Sequence, residues 1–302
     1  MDPALLFAYH RDMLADEKRL AAYREAISRI VRPEHVVVDL GAGTGVLSVY
    51  AARAGARRVY ALDRAVPAGI LRAVIEENGV SDRVTVIAKD SRQVQHLPEL
   101  CDILVADIGL DEESLLDARR RFLRPGGVTI PRQVILRMAP VQAPVVYERA
   151  VDFWQRAPGA FQVAAVRRFA ANQVHRTSLE NLEPASDACE VFSLNIAAIE
   201  SPVLSGTVTF TTPTALLVHG FAGWTRVEFA PGLSLENAPP GPPASWRHLF
   251  FPLERPVSIA AHDQIELTVI KRGLIWIWRG RCGGERFEHS TFQNVPMTAD
   301  EC

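Results

Sequence analysis

The stretch VVVDLGAGTGVL, residues 36–47, constrains the fold of this 302-residue chain more than any other. A short β-branched run over residues 36–40, typical of a buried strand, leads directly into Gly41, Gly43 and Gly45, and a helical pattern follows. Glycines at a strand-to-helix turn let the backbone fold tightly and let a ligand approach the main chain. The stretch therefore predicts an α/β domain with a ligand-binding turn.

Three more segments rich in β-branched residues continue this pattern. They are RVYAL (58–62), RVTVIA (83–88) and DILVAD (102–107). Stretches rich in Ala, Leu and Arg separate them, and buried strands that alternate with helices predict a doubly wound parallel sheet. The segment RPGGVTIP (124–131) predicts a turn that ends this half of the chain.

The second half of the chain has a different pattern. From about residue 186, runs rich in Val, Thr, Ile and aromatic residues are separated by Gly and Pro, which predicts an antiparallel β-barrel-like or sandwich domain. Residues 147–182 carry a helical pattern that the sequence APGA interrupts. The Pro-rich stretch at 237–245 predicts a surface loop.

Charge and cysteine content argue against several classes of protein. The chain has 33 basic and 35 acidic residues, which gives no argument for nucleic acid or an anionic membrane as partner. The N-terminal residues lack the pattern of a signal peptide, and no apolar run approaches the ~18 residues of a membrane span. The four scattered cysteines and eight histidines show no spacing typical of a metal site or a disulfide framework. We therefore expect a cytoplasmic protein without a metal.

The glycine turn does not fit a dinucleotide or nucleotide-triphosphate site. The fingerprint GxGxxG fails because Val46 stands where the third glycine would fall, and there is no P-loop lysine. The pattern that does fit is D-x-G-x-G-x-G, from Asp39 to Gly45, which resembles the loop of class I methyltransferases. That resemblance implies S-adenosylmethionine, with Gly41 and Gly43 under its amino-acid part and Asp39 near its cationic end.

Two further positions are candidates for the rest of this cofactor. Asp63 ends the next strand, 20 residues after Gly43, where a carboxylate can accept both ribose hydroxyls. The alternative is a strand-end aspartate that caps the following helix. Asp90 and Ser91 follow the third strand, where such folds contact adenine, and the alternative is an ordinary loop.

The segment before the loop makes the resemblance more specific. Residues 9–27 resemble the N-terminal helix of the protein arginine methyltransferase family, whose pattern H-x-x-M-L-x-D-x-x-R is matched by His10, Met13, Leu14, Asp16 and Arg19. The segment also fits a simple amphipathic helix. It joins residues 39–63, which resemble the family's cofactor segment. The resemblance implies that His10 belongs to the cofactor site, that Met13 packs by the sulfonium and that Arg19 binds the methionine carboxylate.

The resemblance continues through most of the chain. Residues 119–133 resemble the family's passage into its barrel, residues 152–174 its dimerisation arm, and residues 244–257 its Thr-His-Trp loop and the next strand. It implies a homodimer and three parts. These are cofactor-lid helices over 1–33, a Rossmann-like cofactor domain over 34–131, and a β-barrel-like domain over 132–302 with a helical arm at about 147–182.

The family holds its substrate arginine on two glutamates in the loop after the fourth strand. Paired carboxylates suit the fork of a guanidinium and fix its nitrogen in line with the methyl donor. The matching positions here are Asp107 and Glu113, with Trp246 walling the site. Some of the acids in this loop also fit helix-start charges, and Asp111 and Glu112 are interpreted as solvated ones.

The sequence departs from the family pattern at this site. Asp107 is one methylene shorter than glutamate, and the loop to Glu113 is short. Residues 244–246 read Ala-Ser-Trp, so the family's histidine is missing and the nearest imidazole is that of His248. Either the guanidinium site is rebuilt with other side chains, or the substrate is not a protein arginine.

The sequence thus predicts an S-adenosylmethionine-dependent N-methyltransferase that acts on a guanidinium nitrogen of arginine, in a protein or free. S-adenosylhomocysteine would be the product. One alternative is a small-molecule N- or O-methyltransferase of a biosynthetic pathway, which the short loop and the missing histidine favour. Another is a degenerate relative that binds the cofactor without turnover.

Overall fold

The computed structural model describes residues 3–107, 112–156, 162–241 and 245–294. Three features of the sequence analysis lie outside these ranges. They are Asp111, which was interpreted as a solvated charge, the Ala244 of the Ala-Ser-Trp triplet and the APGA break in the arm. No helix of the described ranges combines the length and the apolar character that crossing a membrane requires.

A five-stranded parallel sheet forms the first half of the protein. Its strands are β1 (Val36–Leu40), β2 (Arg58–Leu62), β3 (Val84–Ile87), β4 (Cys101–Ala106) and β5 (Leu123–Ile130). They are ordered β3-β2-β1-β4-β5, with β1 in the centre, and every pair is parallel. The predicted doubly wound sheet is confirmed, with strands at the positions that the β-branched segments indicate.

Helices cover both faces of this sheet. The helices of the chain are α1 (Pro3–Ala15), α2 (Glu17–Ile30), α3 (Val46–Arg53), α4 (Ala68–Glu77), α5 (Glu112–Phe122), α6 (Pro144–Ala150) and α7 (Val166–Ala171). On one face, Val37 of β1 belongs to an apolar cluster with residues of α2, α3 and α4. On the other face, Val36 and Val38 belong to a cluster with α5. Burial on both faces explains the continuous apolar run of β1.

The segment predicted as a closing turn is the edge strand β5, so that prediction was wrong. Val128, Thr129 and Ile130 pair in parallel with residues 103–105 of β4. Gly126 does adopt a left-handed conformation, with φ of 75°. The turn residues therefore make a local irregularity in a strand whose β-branched end is held by β4.

Two antiparallel sheets form the second half. Their strands are β6 (Gln133–Val141), β7 (His175–Thr177), β8 (Cys189–Asn195), β9 (Val203–Thr211), β10 (Leu216–Ala230), β11 (Leu233–Glu236), β12 (His248–Ile259), β13 (Gln264–Arg272), β14 (Ile275–Cys282) and β15 (Glu285–Ser290). One sheet has the order β7-β12-β10-β6-β8, with β11 on β10, and the other has the order β15-β14-β13-β9. Phe221, Phe251 and Trp278 are fully buried in the cluster that both sheets share.

This second half confirms the predicted antiparallel structure and extends it. β6 begins at Gln133, well before the point where the sequence pattern changes. Between β6 and β8, the predicted helical region contains α6, α7 and one of the four short 3-10 helices found in the described ranges. The 3-10 helices are Ser91–Gln93, Asp152–Gln155, Ile196–Ala198 and Thr291–Asn294.

Helix α2 joins the two halves. Its Tyr23 packs edge to face on Phe229 of β10, with ring centroids 4.8 Å apart. At the start of α2, Asp16 Oδ1 accepts a hydrogen bond from the Arg19 N–H at 3.0 Å, and Oδ2 accepts one from the Ser245 N–H at 2.9 Å. The region where α1 and α2 meet the sheet edge and the loop before β12 holds the candidate site.

Candidate active site

The glycine loop connects β1 to α3 in a left-handed backbone conformation. Gly41, Gly43 and Gly45 have φ of 71°, 56° and 90°. A Cβ added to Gly43 would lie 2.8 Å from Cε1 of His10, and one added to Gly45 would lie 2.6 Å from a methyl of Leu71. Both positions therefore require glycine, for conformation and for space. The loop is pressed between α1 and α4, and its backbone forms one wall of a cavity.

This first cavity, the donor cavity, has a volume of about 290 Å³. Its wall includes Tyr9, His10, Met13, Gly41, Gly43 and Asp63. Burial lowers the pKa of His10, although Asp63 and Asp107 act in the opposite direction. The structure thus brings most of the predicted cofactor residues together around one space.

Asp39 lies behind the glycine loop rather than on the wall of the donor cavity. It is 1% exposed, and Oδ2 accepts a hydrogen bond from Ser48 Oγ at 2.6 Å. Oδ1 has no hydrogen-bond partner among the described residues. Burial raises the pKa of Asp39 to about 7 against the lowering effect of Ser48. A buried carboxyl with an unpaired oxygen beside the loop suits a ligand that carries a positive charge there.

Asp63 organises the turn after β2. Its Oδ2 accepts a hydrogen bond from the Gly43 N–H at 2.9 Å, and Oδ1 accepts from the N–H groups of Ala65 and Val66, both at 2.7 Å. The same carboxylate lines the donor cavity and a smaller neighbouring cavity of about 170 Å³. Asp63 therefore fixes the turn and faces the cavity. It does not cap the following helix, because the N-cap of α4 is Pro67 and has no side-chain hydrogen bond.

The smaller cavity contains Asp90 and Ser91 in its wall. The Asp90 carboxylate binds Arg64 Nη1 at 3.0 Å and Arg92 Nη2 at 3.1 Å. Hydrogen bonding from Arg92 holds the pKa of Asp90 at about 2, against the effect of burial. The N–H of Arg92 also bonds to Asp90, so this aspartate caps the 3-10 helix that Ser91 begins.

Arg19 and Asp107, which the sequence assigns to different ligands, bind each other. Arg19 Nε donates to Asp107 Oδ1 at 3.1 Å, and Nη2 donates to Oδ2 at 2.5 Å. Tyr23 Oη donates to Asp107 Oδ1 at 3.2 Å, and Arg19 Nη1 donates to the Met13 carbonyl at 3.1 Å. The Arg19 side chain is only 3% exposed and that of Asp107 is 19% exposed. This bidentate pair is the floor of the donor cavity.

A second cavity of about 260 Å³, the acceptor cavity, lies on the other side of this pair. It shares Tyr9, Met13 and Asp107 with the donor cavity. The rest of its wall is mostly apolar and comes from both antiparallel sheets, with Trp246 on one side. A group bound here and a group bound in the donor cavity would meet at the three shared residues.

The two consecutive glutamates that begin α5 do not lie as the sequence analysis expects. Glu112 is 6% exposed and lines the acceptor cavity, so its interpretation as a solvated charge is wrong. Glu113 is exposed and does not line this cavity. Successive helix residues point about 100° apart, so only one of them can face inward. Glu112, rather than Glu113, is therefore the glutamate of the acceptor cavity.

Three buried polar atoms of the acceptor cavity have no hydrogen-bond partner among the described residues. They are Glu112 Oε2, Ser245 Oγ and Trp246 Nε1. The other oxygen of Glu112 accepts a hydrogen bond from Lys271 Nζ. Buried polar groups are normally paired, so this cluster suits a polar ligand.

His248, the nearest imidazole to the missing histidine, is not part of this cavity. It is fully buried, its Nδ1 accepts a hydrogen bond from the Leu179 N–H at 2.8 Å, and its Nε2 donates to the Asn237 carbonyl at 2.6 Å. Burial lowers its pKa. Both nitrogens are used within the β-domain, so His248 is a structural residue.

Sequence reasoning missed Lys271, Arg176 and Tyr9, which all line the acceptor cavity. Tyr9 immediately precedes the family motif on α1, and this position could have indicated that it belongs to the site. Lys271 and Arg176 lie on strands β13 and β7, and nothing in their local sequence marks them as site residues.

The helical arm forms a separate apolar surface. Val145 is 79% exposed, Phe153 is 46% exposed and Phe169 is 52% exposed. A broad cavity of about 820 Å³ lies between α6, α7 and β7, with Val145 and Phe169 in its wall. Exposed apolar residues in one patch are typical of an interaction surface.

Comparisons of sequence find a methyltransferase family model and several protein arginine N-methyltransferases. A family model described as ribosomal protein L11 methyltransferase (PrmA) matches residues 23–143. The chain is 30% identical over 279 residues to protein arginine N-methyltransferase 6 of Xenopus laevis, covering 85% of this chain and 81% of the relative. It is 30% identical over 291 residues to protein arginine N-methyltransferase 2 of Xenopus tropicalis, covering 88% and 67%. It is 33% identical over 236 residues to a probable protein arginine N-methyltransferase 6 of Arabidopsis thaliana, and there it spans 73% of this chain but only 54% of the relative.

Comparisons of structure agree on the fold. The PRMT1 enzyme-prozyme heterotetrameric complex of Trypanosoma brucei, solved with AdoHcy, superposes with a TM-score of 0.82 over 93% of this chain and 96% of that chain, at 19% identity. Protein arginine methyltransferase 10 of Arabidopsis thaliana superposes with a TM-score of 0.76 over 94% and 99%, at 20% identity. Both halves of the chain therefore have the arrangement found in these structures.

Proposed function

The chain belongs to the protein arginine N-methyltransferase family, and from this premise we propose that it transfers the methyl group of S-adenosylmethionine to a guanidinium nitrogen of arginine. One observation carries the proposal most directly. The donor and acceptor cavities meet at Tyr9, Met13 and Asp107, so a methyl donor and a nitrogen acceptor can face each other there. Orienting the two reactants accounts for much of the rate in such a reaction.

The donor cavity fits S-adenosylmethionine, which supplies a methyl group on a positively charged sulfur when bound. The left-handed glycine loop leaves no space for side chains, and Asp39 Oδ1 is an unpaired acceptor beside it. We assign the amino-acid end of the ligand to Gly41, Gly43 and Asp39. Met13 packs by the sulfur, and Asp63 accepts the ribose hydroxyls.

Four further residues complete the donor site that we propose. Arg19 binds the carboxylate of the ligand, because guanidinium binds carboxylates in a bidentate manner. His10 closes the loop from the side of α1, where it lies against Gly43. Asp90 and Ser91 line the smaller cavity and bind the adenine end.

We assign acceptor binding to Asp107 and Glu112, with Trp246 as the wall of the site. The two carboxylates orient the guanidinium and draw positive charge away from the attacking nitrogen. As the new C–N bond forms and the bond from sulfur to methyl breaks, the nitrogen loses one proton. Glu112 Oε2 has no hydrogen-bond partner among the described residues and can accept this proton.

The direct test is product analysis. The protein is incubated with tritiated S-adenosylmethionine and either an arginine-containing protein or a small guanidine, and the label is located by chromatography of the hydrolysed product. We expect label on guanidinium nitrogen together with S-adenosylhomocysteine. Label on an oxygen, or turnover with no guanidine, would reject the proposal. Cofactor binding without any turnover would support the degenerate alternative.

We also propose a homodimer that forms through the helical arm. The exposed Val145 and Phe169 support it, and at least one structural neighbour is a multi-chain complex. Sedimentation at micromolar concentration should show a dimer for the wild type and a monomer for Val145→Asp. Leu100→Asp, an equally charged change at a 51% exposed position outside the arm, should remain dimeric. A monomeric wild type would contradict the proposal.

We also propose a cytoplasmic location and a division of the chain into three parts. The cysteines of the described ranges, Cys101, Cys189 and Cys282, are free thiols, which supports a cytoplasmic location. The division into lid helices over 1–33, a cofactor domain over 34–131 and a second domain over 132–302 is also a proposal. The change from parallel to antiparallel pairing between β5 and β6 supports its second boundary.

A further inference from the structure

Both acids that line the acceptor cavity within the described ranges are paired with a base of this chain. Asp107 binds Arg19, and Glu112 binds Lys271. Arg176 adds another positive charge to the wall of the same cavity. This cavity is therefore not the net-negative site that a simple cation would select.

Lys271 is held in the cavity rather than extended into solvent. Its side chain is 17% exposed, and its partner Glu112 is 7% exposed. The ammonium group also lies 5.4 Å from the ring centroid of Trp276, in a cation–π arrangement. Arg272, the next residue of β13, is exposed and does not line the cavity. The position of Lys271 is thus a specific feature of the acceptor cavity.

The charged residues of the cavity favour a ligand that carries both a positive and a negative group and has no net charge. In the proposed function Arg19 moves to the carboxylate of the cofactor. The acceptor then faces two acids, Asp107 and Glu112, and two bases, Lys271 and Arg176. A guanidinium alone balances Asp107 and Glu112 against Lys271, and it leaves Arg176, an exposed cation on the same wall, free to bind a carboxylate of the ligand. A guanidinium that carries its own carboxylate keeps the total at zero.

The unpaired polar atoms point to the same ligand. Trp246 Nε1 is buried, has no partner among the described residues, and can only donate. A guanidinium has no acceptor atom, so it cannot satisfy this indole N–H. Glu112 Oε2, by contrast, can only accept, and a guanidinium N–H satisfies it. A ligand that satisfies both atoms therefore carries a hydrogen-bond donor and a hydrogen-bond acceptor on one molecule.

We propose that the acceptor is a small guanidino acid, a molecule with a guanidinium and a carboxylate on one short chain. This inference rests on the proposed function. Its guanidinium binds Glu112 and Asp107, and its carboxylate binds Lys271 and Arg176, with the Trp246 N–H as a further donor. The cavity volume of about 260 Å³ lies below the ~300–1,000 Å³ typical of drug-sized ligands, which suits a molecule of amino-acid size.

Two guanidines that differ only in the carboxylate test this directly. They are 4-guanidinobutyrate and n-propylguanidine. With the full-length protein and S-adenosylmethionine, we expect a kcat/KM for 4-guanidinobutyrate about 10- to 100-fold higher, as expected for a hydrogen bond to a charged group. Lys271→Met should reduce this preference to about threefold or less. Arg272→Met removes the same charge nearby and should leave the preference intact.

The other outcomes each decide the question. Equal kcat/KM for the two guanidines in the wild type would overturn the guanidino-acid assignment and leave the proposed function standing. An equal loss on both guanidines in Lys271→Met would also overturn it, because Lys271 would then act only by holding Glu112. Better methylation of an arginine-containing peptide than of either guanidine would overturn it as well. Absence of transfer to every guanidine would overturn the proposed function and this assignment together.

A binding experiment covers the case in which Lys271→Met does not fold. Calorimetry of the wild type with S-adenosylhomocysteine compares the two guanidines without turnover. Tighter binding of 4-guanidinobutyrate by about tenfold or more supports the assignment. Equal binding overturns it.

Discussion

The two consecutive glutamates at the start of α5 allow a sharp test of the acceptor site. Glu112→Gln and Glu113→Gln make the same chemical change one residue apart, and each keeps the size of the side chain. Glu112 is 6% exposed, binds Lys271 and lines the acceptor cavity, whereas Glu113 is exposed. We expect methyl transfer to depend on Glu112 alone.

The expected magnitude follows from burial and pairing. Glu112→Gln removes one member of a buried charged pair and the acceptor for the substrate guanidinium. Removing such a partner costs about 2–5 kcal/mol, which corresponds to a loss in kcat/KM of about 30-fold to a few thousand-fold. Glu113→Gln changes a surface charge, and such changes stay within about 0.5 kcal/mol, or roughly twofold.

The assay is steady-state methyl transfer to a guanidine, with S-adenosylhomocysteine formation as the readout. Because Glu112→Gln leaves Lys271 without its partner, thermal unfolding and S-adenosylmethionine affinity are measured for both variants. A folded Glu112→Gln that binds the cofactor normally and turns over at the wild-type rate would refute the assignment. A large loss in Glu113→Gln with little loss in Glu112→Gln would return the role to Glu113.

Three other predictions concern the donor site. Asp63→Ala should weaken S-adenosylmethionine binding by about 1–3 kcal/mol in calorimetry, and unchanged affinity would remove its ribose role. Cofactor affinity should rise as the pH rises through about 7. Burial raises the pKa of Asp39 to about 7, and only its charged form attracts a cationic ligand. The same rise of affinity in Asp39→Asn would contradict this prediction. Gly43→Ala should weaken cofactor binding, because the new Cβ would meet His10. The control Gly79→Ala has the same positive φ, but its Cβ would meet nothing within 4 Å. It should lower only the stability in thermal unfolding, by about 1 kcal/mol.

The parallel sheet and the glycine loop could be predicted because their signals are local. Buried parallel strands are nearly continuous apolar runs, and β1 to β4 are bounded by glycines or helical patterns that the sequence displays directly. Edge strand β5 escaped prediction because Pro125, Gly126 and Gly127 are turn residues. Only the pairing of Val128–Ile130 with β4 overrides them, and that pairing is a tertiary contact.

The acceptor cavity could be predicted only in part, because its chemistry depends on contacts between distant residues. Asp107 follows directly from the end of a strand. Which glutamate faces the cavity depends on how α5 is rotated about its own axis. The sequence does not fix that rotation. Lys271 of β13 meets Glu112 of α5 although 159 residues separate them in the sequence. No local pattern contains that information.

Asp16 gives the two ligand sites a common support. One of its oxygens holds the first turn of α2, which carries Arg19, and the other holds the backbone of Ser245 beside Trp246. Any shift of α2 would therefore be transmitted to the acceptor wall. Linkage between two sites is reciprocal, so an acceptor that rearranges this wall changes cofactor affinity by the same factor. Loss of Asp16 should uncouple the two affinities without removing any group that touches either ligand.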